Sequence, residues 1–325
     1  MSGDARWMAA AAQLAARARP LSSPNPAVAC LIVKDEILLS RGWTQAGGRP
    51  HAEAHALASL GELDARSATV YVTLEPCAHR SERGPACADI VAAAGPARVV
   101  VGIVDPDPRT AGQGIARLEA AGIEVTVLDC DHARRSLAGF LASQTLRRPH
   151  VTLKLAMSQD GFIARPPGQE QWITGESARA HVHAQRAKQD AILVGKGTWV
   201  TDQPRLDVRL PGIEDRSPQK YVLTTDGALN GVRALPSPSA ISELPGIQYL
   251  YVEGGASTAQ AFLDAELVDE LHIYTAPIDI GEGLSAPAML QQDKLAGSGD
   301  WQLVQKCQLG SDTFAAYQRT NAQET

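Results

Sequence analysis

Short apolar runs and helix-like segments alternate along the first half of the chain. Residues 4–19 are Ala-rich, with no internal Gly or Pro, and predict a helix that the prolines of residues 20–26 end. Strands are predicted at 27–33, 37–43, 69–74, 97–105 and 123–128, and further helices at 51–60, 88–94 and 114–122. This alternation is typical of an α/β fold with helices on the faces of a sheet.

The alternation starts again near residue 150, which predicts a second domain. Residues 146–150 (LRRPH) follow a predicted helix and precede a strand at 151–158. Further strands are predicted at 190–195, 219–225, 247–255 and 270–278, helices at 176–188 and 257–265, and Pro-containing loops at 210–218 and 234–246. We therefore expect two α/β domains, residues 1–147 and 148–325, each large enough to bury its own core.

Composition narrows the classes of function that this chain can have. A net charge of −6, from 30 basic and 36 acidic residues, argues against a protein held to nucleic acid by phosphate contacts. No apolar run is long enough to span a bilayer, and residues 1–20 lack the apolar core of a secretory signal. Five scattered cysteines are typical of reduced thiols, so we expect a cytoplasmic protein. From the charge and the short apolar runs, we expect no nucleic-acid or membrane partner.

One histidine, one glutamate and two cysteines form the sharpest motif in the sequence. His51 and Glu53 stand in HAE, and nine residues separate Cys77, which follows Pro76, from Cys87. One imidazole and two thiolates are three ligands for zinc and leave a fourth tetrahedral position for water, as a hydrolytic site needs. Glu53 could then transfer protons, an arrangement typical of zinc-dependent base deaminases. HAE and Pro76-Cys77 are each predicted to begin a helix, where a thiolate is favoured.

An alternative interpretation needs no metal. In it, Cys77 and Cys87 are ordinary buried thiols and His51 caps a helix. Cys30 lies in an apolar run and is predicted to belong to the core. Cys130 and Cys307 have no spacing typical of metal ligands, so we interpret them as structural.

Several motifs together resemble the bifunctional deaminase–reductase family of riboflavin biosynthesis. They are PNPAVACLIVKD, HAEAHAL, TLEPCAHR and the DPDP…GQG run, and the resemblance continues through the second half of the chain. In this family the second cysteine comes later than in other base deaminases, because the intervening loop helps to form the substrate site. The interval of nine residues is one longer than is usual for the family. The resemblance implies a cytidine-deaminase-like three-layer first domain and a dihydrofolate-reductase-like α/β second domain.

The resemblance also implies roles for single residues of the first domain. His51, Cys77 and Cys87 would hold one zinc ion, and Glu53 would take a proton from water and deliver it to the departing ammonia. The residues that would contact the substrate are Asn25, His79, Arg83 and Asp105, with Arg83 near its phosphate.

Three residues of the first domain depart from the family's pattern. Thr44, Asp107 and Ala29 stand where the family has His, Asn and Gly, and Asp107 would bring a further negative charge near a phosphorylated substrate. Apart from the resemblance, Asn25 between two prolines is equally well a turn residue, and Asp105 and Asp107 are equally well turn acids.

A strand–turn–helix in the second half offers a phosphate site, although the GxGxxG fingerprint of dinucleotide binding is absent. An apolar strand ends at Glu253, Gly254 and Gly255 make a tight turn, and Ser257 or Thr258 is expected to cap the helix that follows. The N-terminus of such a helix offers backbone N–H groups to a pyrophosphate. Many such corners need glycine for geometry alone, so the motif by itself leaves both interpretations open.

By the resemblance, the second domain would transfer hydride from NADPH to the opened sugar of the substrate. Lys154 would face that sugar, and Arg186 and Arg209 would bind its phosphate. The positions that match cofactor contacts of the family are Ala156, Trp172, Thr198, Asp202, Gly255, Ala256, Ser257 and Thr258. The positions that match substrate contacts are Leu206, Glu253 and Glu170.

The second domain also departs from the family in places. Glu170 stands where the family has a small hydroxyl residue, and residues 224–225 are Thr-Thr in place of Asp-Ser. Lys196 is a candidate for the basic group that NADPH, unlike NADH, requires. Without the family, Trp172 and Trp199 would be packing residues, and Arg186 and Lys188 would form a solvated helix face.

We therefore expect two successive reactions on one chain. The first is zinc-dependent deamination of 2,5-diamino-6-(5-phosphoribosylamino)pyrimidin-4-one, and the second is NADPH-dependent reduction of the ribosyl chain to give 5-amino-6-(5-phosphoribitylamino)uracil. The family also implies a homo-oligomer, a dimer or larger. The alternatives are a nucleic-acid or nucleoside deaminase, a degenerate zinc-binding module, and a deaminase that has lost its reductase. The charge of −6 counts against the first alternative, and retention of the complete zinc motif counts against the second.

Overall fold

The computed structural model describes residues 3–79, 84–108, 110–166, 172–227, 229 and 231–320. The chain divides into two compact units, Met1–Arg147 and Arg148–Thr325. Each unit has its own sheet and its own hydrophobic core. Within the described residues, every helix is too short or too polar to pass through a lipid bilayer.

A five-stranded sheet forms the centre of the first unit. Its strands are β1 (Ala29–Lys34), β2 (Ile37–Trp43), β3 (Thr69–Leu74), β4 (Arg98–Ile103) and β5 (Glu124–Val127). They lie in the order β2-β1-β3-β4-β5, with β1 antiparallel to β2 and β3, and with β3, β4 and β5 parallel. The apolar runs of β1, β3 and β4 are buried along nearly their whole length, which requires cover on both faces.

Helices provide that cover. In the described part of the first unit they are α1 (Gly3–Ala15), α2 (Ala52–Ala58), α3 (Cys87–Ala94), α4 (Gln113–Ala120), α5 (Asp131–Ser136) and α6 (Ala138–Thr145). α1 packs on α5 and on the sheet, while α2 contacts β1, β2 and α3. α1 buries Met8, Ala11 and Ala15, whose spacing of three and four residues places them on one face. The three-layer α/β prediction is confirmed.

A larger, mixed sheet forms the second unit. Its elements are β6 (His150–Ser158), β7 (Phe162–Ala164), α7 (Glu176–Arg186), β8 (Ala191–Gly195), α8 (Lys196–Asp202), β9 (Gln219–Leu223), β10 (Arg233–Leu235), β11 (Tyr249–Val252), α9 (Ala256–Asp264), β12 (Glu270–Ala276), β13 (Leu284–Ser285), α10 (Gln292–Gly297), β14 (Trp301–Leu309) and β15 (Asp312–Arg319). The eight-stranded sheet has the order β10-β9-β8-β11-β6-β12-β15-β14. The six strands from β10 to β12 are parallel, and β15 is antiparallel to both of its neighbours. β7 and β13 pair separately.

The hairpin of β14 and β15 is the largest part of the fold that the sequence did not predict. β14 is the edge strand of the sheet, and along it only Trp301 is fully buried. Three glutamines, Gln302, Gln305 and Gln308, interrupt its apolar residues, so the strand lacks the continuous apolar run of the central strands. The loop predicted at 234–246 is also partly wrong, since it contains the end of β10 and a short 3-10 helix, Pro238–Glu243.

A buried ion pair fixes the first residue of the second unit. The Asp269 carboxylate accepts hydrogen bonds from Arg148 Nη1 and Nη2 at 2.6 and 2.8 Å, and from the Val151 N–H at 2.8 Å. Burial opposes the charge of Asp269, but the hydrogen bonds and charge of Arg148 prevail and hold its pKa below the usual value. The pair joins the segment before β6 to the start of β12.

We expect Asp269→Asn to lower the free energy of unfolding by about 3–5 kcal/mol, because Arg148 keeps a buried charge with no counter-charge. A lowered folded-state pKa means that this stabilisation is present above pH ~4 and is lost as the pH falls. Urea unfolding at about pH 7 and about pH 3 measures both effects. Asp264→Asn, which changes an exposed acid of α9, is the control and should be nearly neutral. Equal stability of Asp269→Asn and the wild type at neutral pH would contradict the expectation.

Candidate functional site

The three predicted zinc ligands come from three different local structures. His51 is the N-cap residue of α2, Cys87 is the first residue of α3, and Cys77 lies in the irregular loop after β3. The prediction that Cys77 begins a helix is wrong, because hydrogen bonds from the backbone of other loops hold the side chain of Glu75 and keep this segment irregular. His51 makes no side-chain cap hydrogen bond, so the capping alternative is not what the structure shows.

The three side chains meet at distances that fit one zinc ion. His51 Nδ1 lies 3.3 Å from Cys87 Sγ and 3.7 Å from Cys77 Sγ, and all three ligand atoms lie within 4.8 Å of one another. A tetrahedral zinc site with ordinary bond lengths has ligand–ligand distances of about 3.5–3.8 Å. The backbone N–H of Cys87 also donates to Cys77 Sγ at 3.3 Å, which stabilises a thiolate there.

The contact between the two thiols shifts their pKa values in opposite directions. Hydrogen bonds from Cys87 and His51 outweigh burial and lower the pKa of the Cys77 thiol to about 4. The same contact with Cys77, together with burial, raises the pKa of Cys87, and the hydrogen bond with Cys77 raises the pKa of His51. Two thiolates at this distance need a cation between them, and zinc is the ion that matches a His/Cys/Cys donor set.

Glu53 lies beside the ligands without belonging to the cluster. It is in the first turn of α2, two residues after His51, and only 3% of its surface is exposed. Burial raises the pKa of its carboxyl group, the charge of Cys77 raises it further, and the charge of His51 and hydrogen bonds partly offset this. A buried carboxyl group at this position can serve as both acceptor and donor of a proton.

A cavity of about 370 Å³ opens next to this group. It is lined by Pro24, Asn25, Pro26, Val28, Thr44, Arg49, His51, Glu53, Leu74, Glu75, Cys77, His79, Asp105, Asp107, Phe140 and Gln144. Asn25, His79 and Asp105 therefore line the same cavity as His51 and Cys77. Arg83 lies outside the described residues.

The turn that carries Asn25 is held by two close contacts. Asn25 Nδ2 donates to the Gly48 carbonyl at 3.0 Å, and a Cβ at Gly48, where φ is +81°, would lie 2.3 Å from that nitrogen. Thr44, which departs from the family's His, accepts from the Val28 N–H at 3.1 Å and donates to the Pro26 carbonyl at 3.0 Å. Through these two hydrogen bonds, the buried side chain of Thr44 stabilises the Pro-Asn-Pro turn.

His79 and Asp105 present polar atoms on the cavity walls. His79 Nδ1 is buried and has no hydrogen-bond partner among the described residues, which suits a group that meets a ligand. Burial, with a smaller effect from Asp107, raises the pKa of Asp105 to about 6. Asp105 Oδ1 accepts the Asp107 N–H at 2.9 Å, so Asp105 is also a turn residue.

Glu75 is a positioning residue that the sequence analysis missed. Its buried carboxylate accepts backbone N–H groups of Asp105, Gly112, Gly114 and Ile115 at 2.8–3.2 Å. Gly114 has to be glycine, since a Cβ there would lie 2.0 Å from the Pro76 carbonyl oxygen. Glu75 thereby ties the Cys77 loop to the loop of Asp105 and to the start of α4. The signal in the sequence was an acid between a buried strand and Pro-Cys.

Three charged side chains of the second unit meet at the end of β11. Arg186 Nε and Nη2 donate to Glu253 Oε1 and Oε2 at 2.6 and 2.9 Å, and Lys154 Nζ lies 3.7 Å from Glu253 Oε2. Burial lowers the pKa of Lys154, while the charges of Lys154 and Arg186 overcome burial and hold the pKa of Glu253 below its usual value. The Arg186 fork, predicted to bind a phosphate, is therefore engaged by Glu253.

The turn between β11 and α9 has the close packing of a phosphate site. Gly255 is the N-cap residue, and α9 has no side-chain cap hydrogen bond, so the prediction that Ser257 or Thr258 caps it is wrong. Thr258 instead packs inward, where a Cβ at Gly195 would lie 2.1 Å from its Oγ1 and a Cβ at Gly254 2.3 Å from its Cβ. The first N–H groups of α9, those of Ala256 and its neighbours, therefore suit a pyrophosphate.

The other predicted contacts of the second unit come from several elements. Ala156 lies two residues after Lys154 and so on the same face of β6. Thr198 and Asp202 lie on α8, and a Cβ at Gly255 would be 3.8 Å from Thr198 Oγ1. Trp172 is 63% exposed, with the Arg179 guanidinium 5.0 Å from its ring centroid, so it is not a packing residue. Glu170 lies outside the described residues.

Leu206 and Arg209 lie in the segment after α8. The Leu206 side chain is buried with Ile192, Val194 and Val222, so a ligand would meet only its backbone. Its φ of +50° is unusual for leucine and turns the chain toward Asp207. Arg209 is exposed, and its Nε lies 3.4 Å from Asp207 Oδ1.

Family comparisons match both units. The cytidine and deoxycytidylate deaminase zinc-binding region matches residues 1–103, and the RibD C-terminal domain matches residues 149–235 and 239–315. Riboflavin biosynthesis protein RibD of Haemophilus influenzae is 35% identical over 97% of both chains. The protein of the same name from Corynebacterium ammoniagenes is 40% identical over 86% of this chain and 88% of its own.

Solved structures give the same result. Acinetobacter baumannii RibD, form 1, is 35% identical, covers 98% of this chain and 99% of its own, and superimposes with a TM-score of 0.81. A diaminohydroxyphosphoribosylaminopyrimidine deaminase/5-amino-6-(5-phosphoribosylamino)uracil reductase from Thermotoga maritima is 29% identical over 97% and 98%, with a TM-score of 0.84.

These matches assign one activity to each of the two units. The first unit is a zinc-binding deaminase domain and the second is a reductase domain that uses NADPH, so the protein is an enzyme with hydrolase and oxidoreductase activities. The family resemblance inferred from the sequence motifs is confirmed. The chain belongs to the RibD family of bifunctional deaminase–reductases of riboflavin biosynthesis.

Proposed function

We propose that the first domain deaminates 2,5-diamino-6-(5-phosphoribosylamino)pyrimidin-4-one, and that the second reduces the ribosyl chain of the product to give 5-amino-6-(5-phosphoribitylamino)uracil. The observation that carries the proposal is the meeting of His51, Cys77, Cys87 and Glu53 beside one cavity. The name of the Thermotoga maritima protein gives the same pair of activities.

In the deaminase, His51, Cys77 and Cys87 would hold the metal. A zinc ion held there would supply an activated water molecule by lowering its pKa. Glu53 would accept a proton from the water as its oxygen attacks the ring carbon that bears the amino group. Glu53 would then give the proton to the amino nitrogen, the C–N bond would break, and ammonia would leave. The position of Glu53 supports this role, because the carboxyl group is buried beside the same cavity, two residues from His51.

The cavity walls would select and orient the pyrimidine. Asn25 is held by Gly48 and keeps its carbonyl oxygen for the ring, and His79 brings a buried nitrogen with no partner among the described residues. Asp105, with a pKa of about 6, would exchange hydrogen bonds with the opposite edge. We propose that Arg83, which lies between the two cysteines in the sequence, meets the phosphate.

In the reductase, bound NADPH would supply the hydride that reduces C1 of the opened sugar, and the nitrogen attached to C1 would take up a proton. The ammonium group of Lys154, held near Glu253, would face the sugar and stabilise the charge that develops as C1 is reduced. Arg186 and Arg209 would bind the substrate phosphate. Glu253 and the Asp207 carbonyl would hold the Arg186 guanidinium in place, and the Asp207 carboxylate lies 3.4 Å from Arg209 Nε. The α9 N-terminus would hold the pyrophosphate of the cofactor, which is supported by its freedom from a side-chain cap.

We also propose that the substrates are small phosphorylated pyrimidines rather than nucleic acid, and that the enzyme works in the cytoplasm as a homodimer or larger oligomer. The net charge of −6 and the acidic residues of the cavity support the first part, because both would repel a polyanion. Five cysteines without disulfides support a reducing compartment. Light scattering of the purified protein measures the oligomeric state.

Glu53→Gln should lower the rate of ammonia release by about 10²–10⁴-fold, because an amide cannot carry the proton. Zinc content should stay at one ion per chain, since Glu53 is not a ligand in this arrangement. Ammonia release and metal content are measured on the same preparation, with the exposed Glu62→Gln as the matched control. Activity near that of the wild type would overturn the role given to Glu53.

Cys77→Ser should remove zinc and ammonia release together, since two ligands bind zinc far more weakly than three. NADPH oxidation with the deaminated uracil substrate should continue, because no residue of the zinc cluster lies in the second unit. Metal analysis and both assays on Cys77→Ser and on Cys130→Ser, a thiol outside the cluster, measure this. Full zinc occupancy of Cys77→Ser would contradict the ligand set.

Lys154→Met should lower the reductase kcat by about 10²–10³-fold, because the charge on the sugar loses its electrostatic partner. Ammonia release should be unchanged. Following NADPH oxidation and ammonia together separates the two activities, and Lys306→Met, which removes an exposed cation of β14, is the control. A reductase rate equal to that of the wild type would contradict a catalytic role for Lys154.

A further inference from the structure

The residues that follow the parallel strands of the second unit contain one cation. The six parallel strands β6, β8, β9, β10, β11 and β12 all end at the same edge of the sheet. Ligands of such sheets bind at that edge. The three residues after each strand are 159–161, 196–198, 224–226, 236–238, 253–255 and 277–279. All of them are described, and Lys196 is the cation among them.

The order of the strands fixes the direction in which a dinucleotide would lie. Lys154 and Glu253, where the sugar would react, belong to β6 and to the end of β11. The pyrophosphate cradle at Gly255 follows β11 and begins α9. Since β11 lies between β6 and β8, a cofactor with its nicotinamide near Lys154 and its pyrophosphate at Gly255 extends its adenosine toward β8 and β9.

Lys196 is the first residue after β8, and it lies on this adenosine side. Thr198, two residues later on α8, brings its hydroxyl close to Gly255, so the start of α8 borders the pyrophosphate cradle. Asp226 follows β9, the next strand outward, and its carboxylate forms an ion pair with Lys196. A hydrogen bond of 3.1 Å from the Asp226 N–H to Thr224 Oγ1 holds this acid at the strand end.

The ion pair is one that a phosphate can replace. About half of each side chain is exposed, 49% for Lys196 and 50% for Asp226, and exposed pairs contribute little to stability. A phosphate monoester carries nearly twice the charge of a carboxylate and offers three acceptor oxygens. Lys196 would therefore turn to the phosphate, while the charge of Asp226 would weaken that binding.

We propose that Lys196 distinguishes NADPH from NADH by binding the 2′-phosphate of the adenosine, and that Asp226 sets the strength of that contact. This rests on the reductase domain and on its cofactor site at Gly255. Neither residue takes part in the hydride transfer, so their role is in cofactor affinity and selectivity alone.

Calorimetric titration of the full chain with 2′,5′-ADP and with 5′-AMP tests the proposal, because the two ligands differ only in the 2′-phosphate. For Lys196→Ala, the Kd of 2′,5′-ADP should rise by about tenfold to one-hundredfold, while the Kd of 5′-AMP stays constant. Lys196→Arg should keep most of the selectivity, and Asp226→Asn should bind 2′,5′-ADP more tightly than the wild type. Lys306→Ala, on the far edge of the sheet, is the control and should bind both ligands as the wild type does.

Steady-state reduction gives the second measurement. Lys196→Ala should raise the KM for NADPH by a similar factor, with kcat at saturation and kcat/KM for NADH unchanged. The proposal would be overturned if Lys196→Ala lost affinity equally for 2′,5′-ADP and 5′-AMP, or if its affinity for neither ligand changed. A wild type that binds 2′,5′-ADP no better than 5′-AMP would also overturn it. If the wild type does not oxidise NADPH at all, the result would instead count against the reductase assignment. Failure of the Lys196 proposal and failure of the reductase assignment are therefore distinguishable.

Discussion

The compensation of buried charge is the constraint on which both sites depend. In the second unit, Glu253 stays ionised although burial opposes it, because Lys154 and Arg186 lie against it. In the first unit, hydrogen bonds from four backbone N–H groups of the described residues hold the Glu75 carboxylate. Each carboxylate joins segments that are distant in sequence through its hydrogen bonds. The same interactions that compensate the buried charge therefore also position the residues of the site.

The zinc cluster also gathers buried negative charge, but its compensating charge would come from a metal ion. Cys77 and Cys87 compete for one proton, and the His51 ring lies against both sulfurs. The protein gathers negative charge there and leaves it for a cation to balance. Glu53 lies next to that concentration of charge and is buried, which keeps its carboxyl group weakly acidic and suited to proton transfer.

The sequence predicted the chemistry of the first site better than its supporting contacts. His51, Glu53, Cys77 and Cys87 were found because metal ligands are few in kind and closely spaced. Glu75 was missed because a buried acid and an exposed acid look alike in a sequence. Glu253 pairs with Arg186, 67 positions away, because the order of the strands brings them together. The periodicity of a sequence does not reveal that order. The edge strand β14 was missed for a related reason, since exposure leaves its residue types unconstrained.

The packing of Thr258 has a consequence for how this protein can change over time. Its side chain fills the space that a Cβ would need at both Gly195, the last residue of β8, and Gly254, in the turn after β11. A side chain at either glycine would have to displace the start of α9 from the sheet, and the cofactor cradle is built from that start. The three positions are therefore coupled in evolution. Drift at one is blocked unless another changes with it, although none of the three carries a charge or a reacting atom.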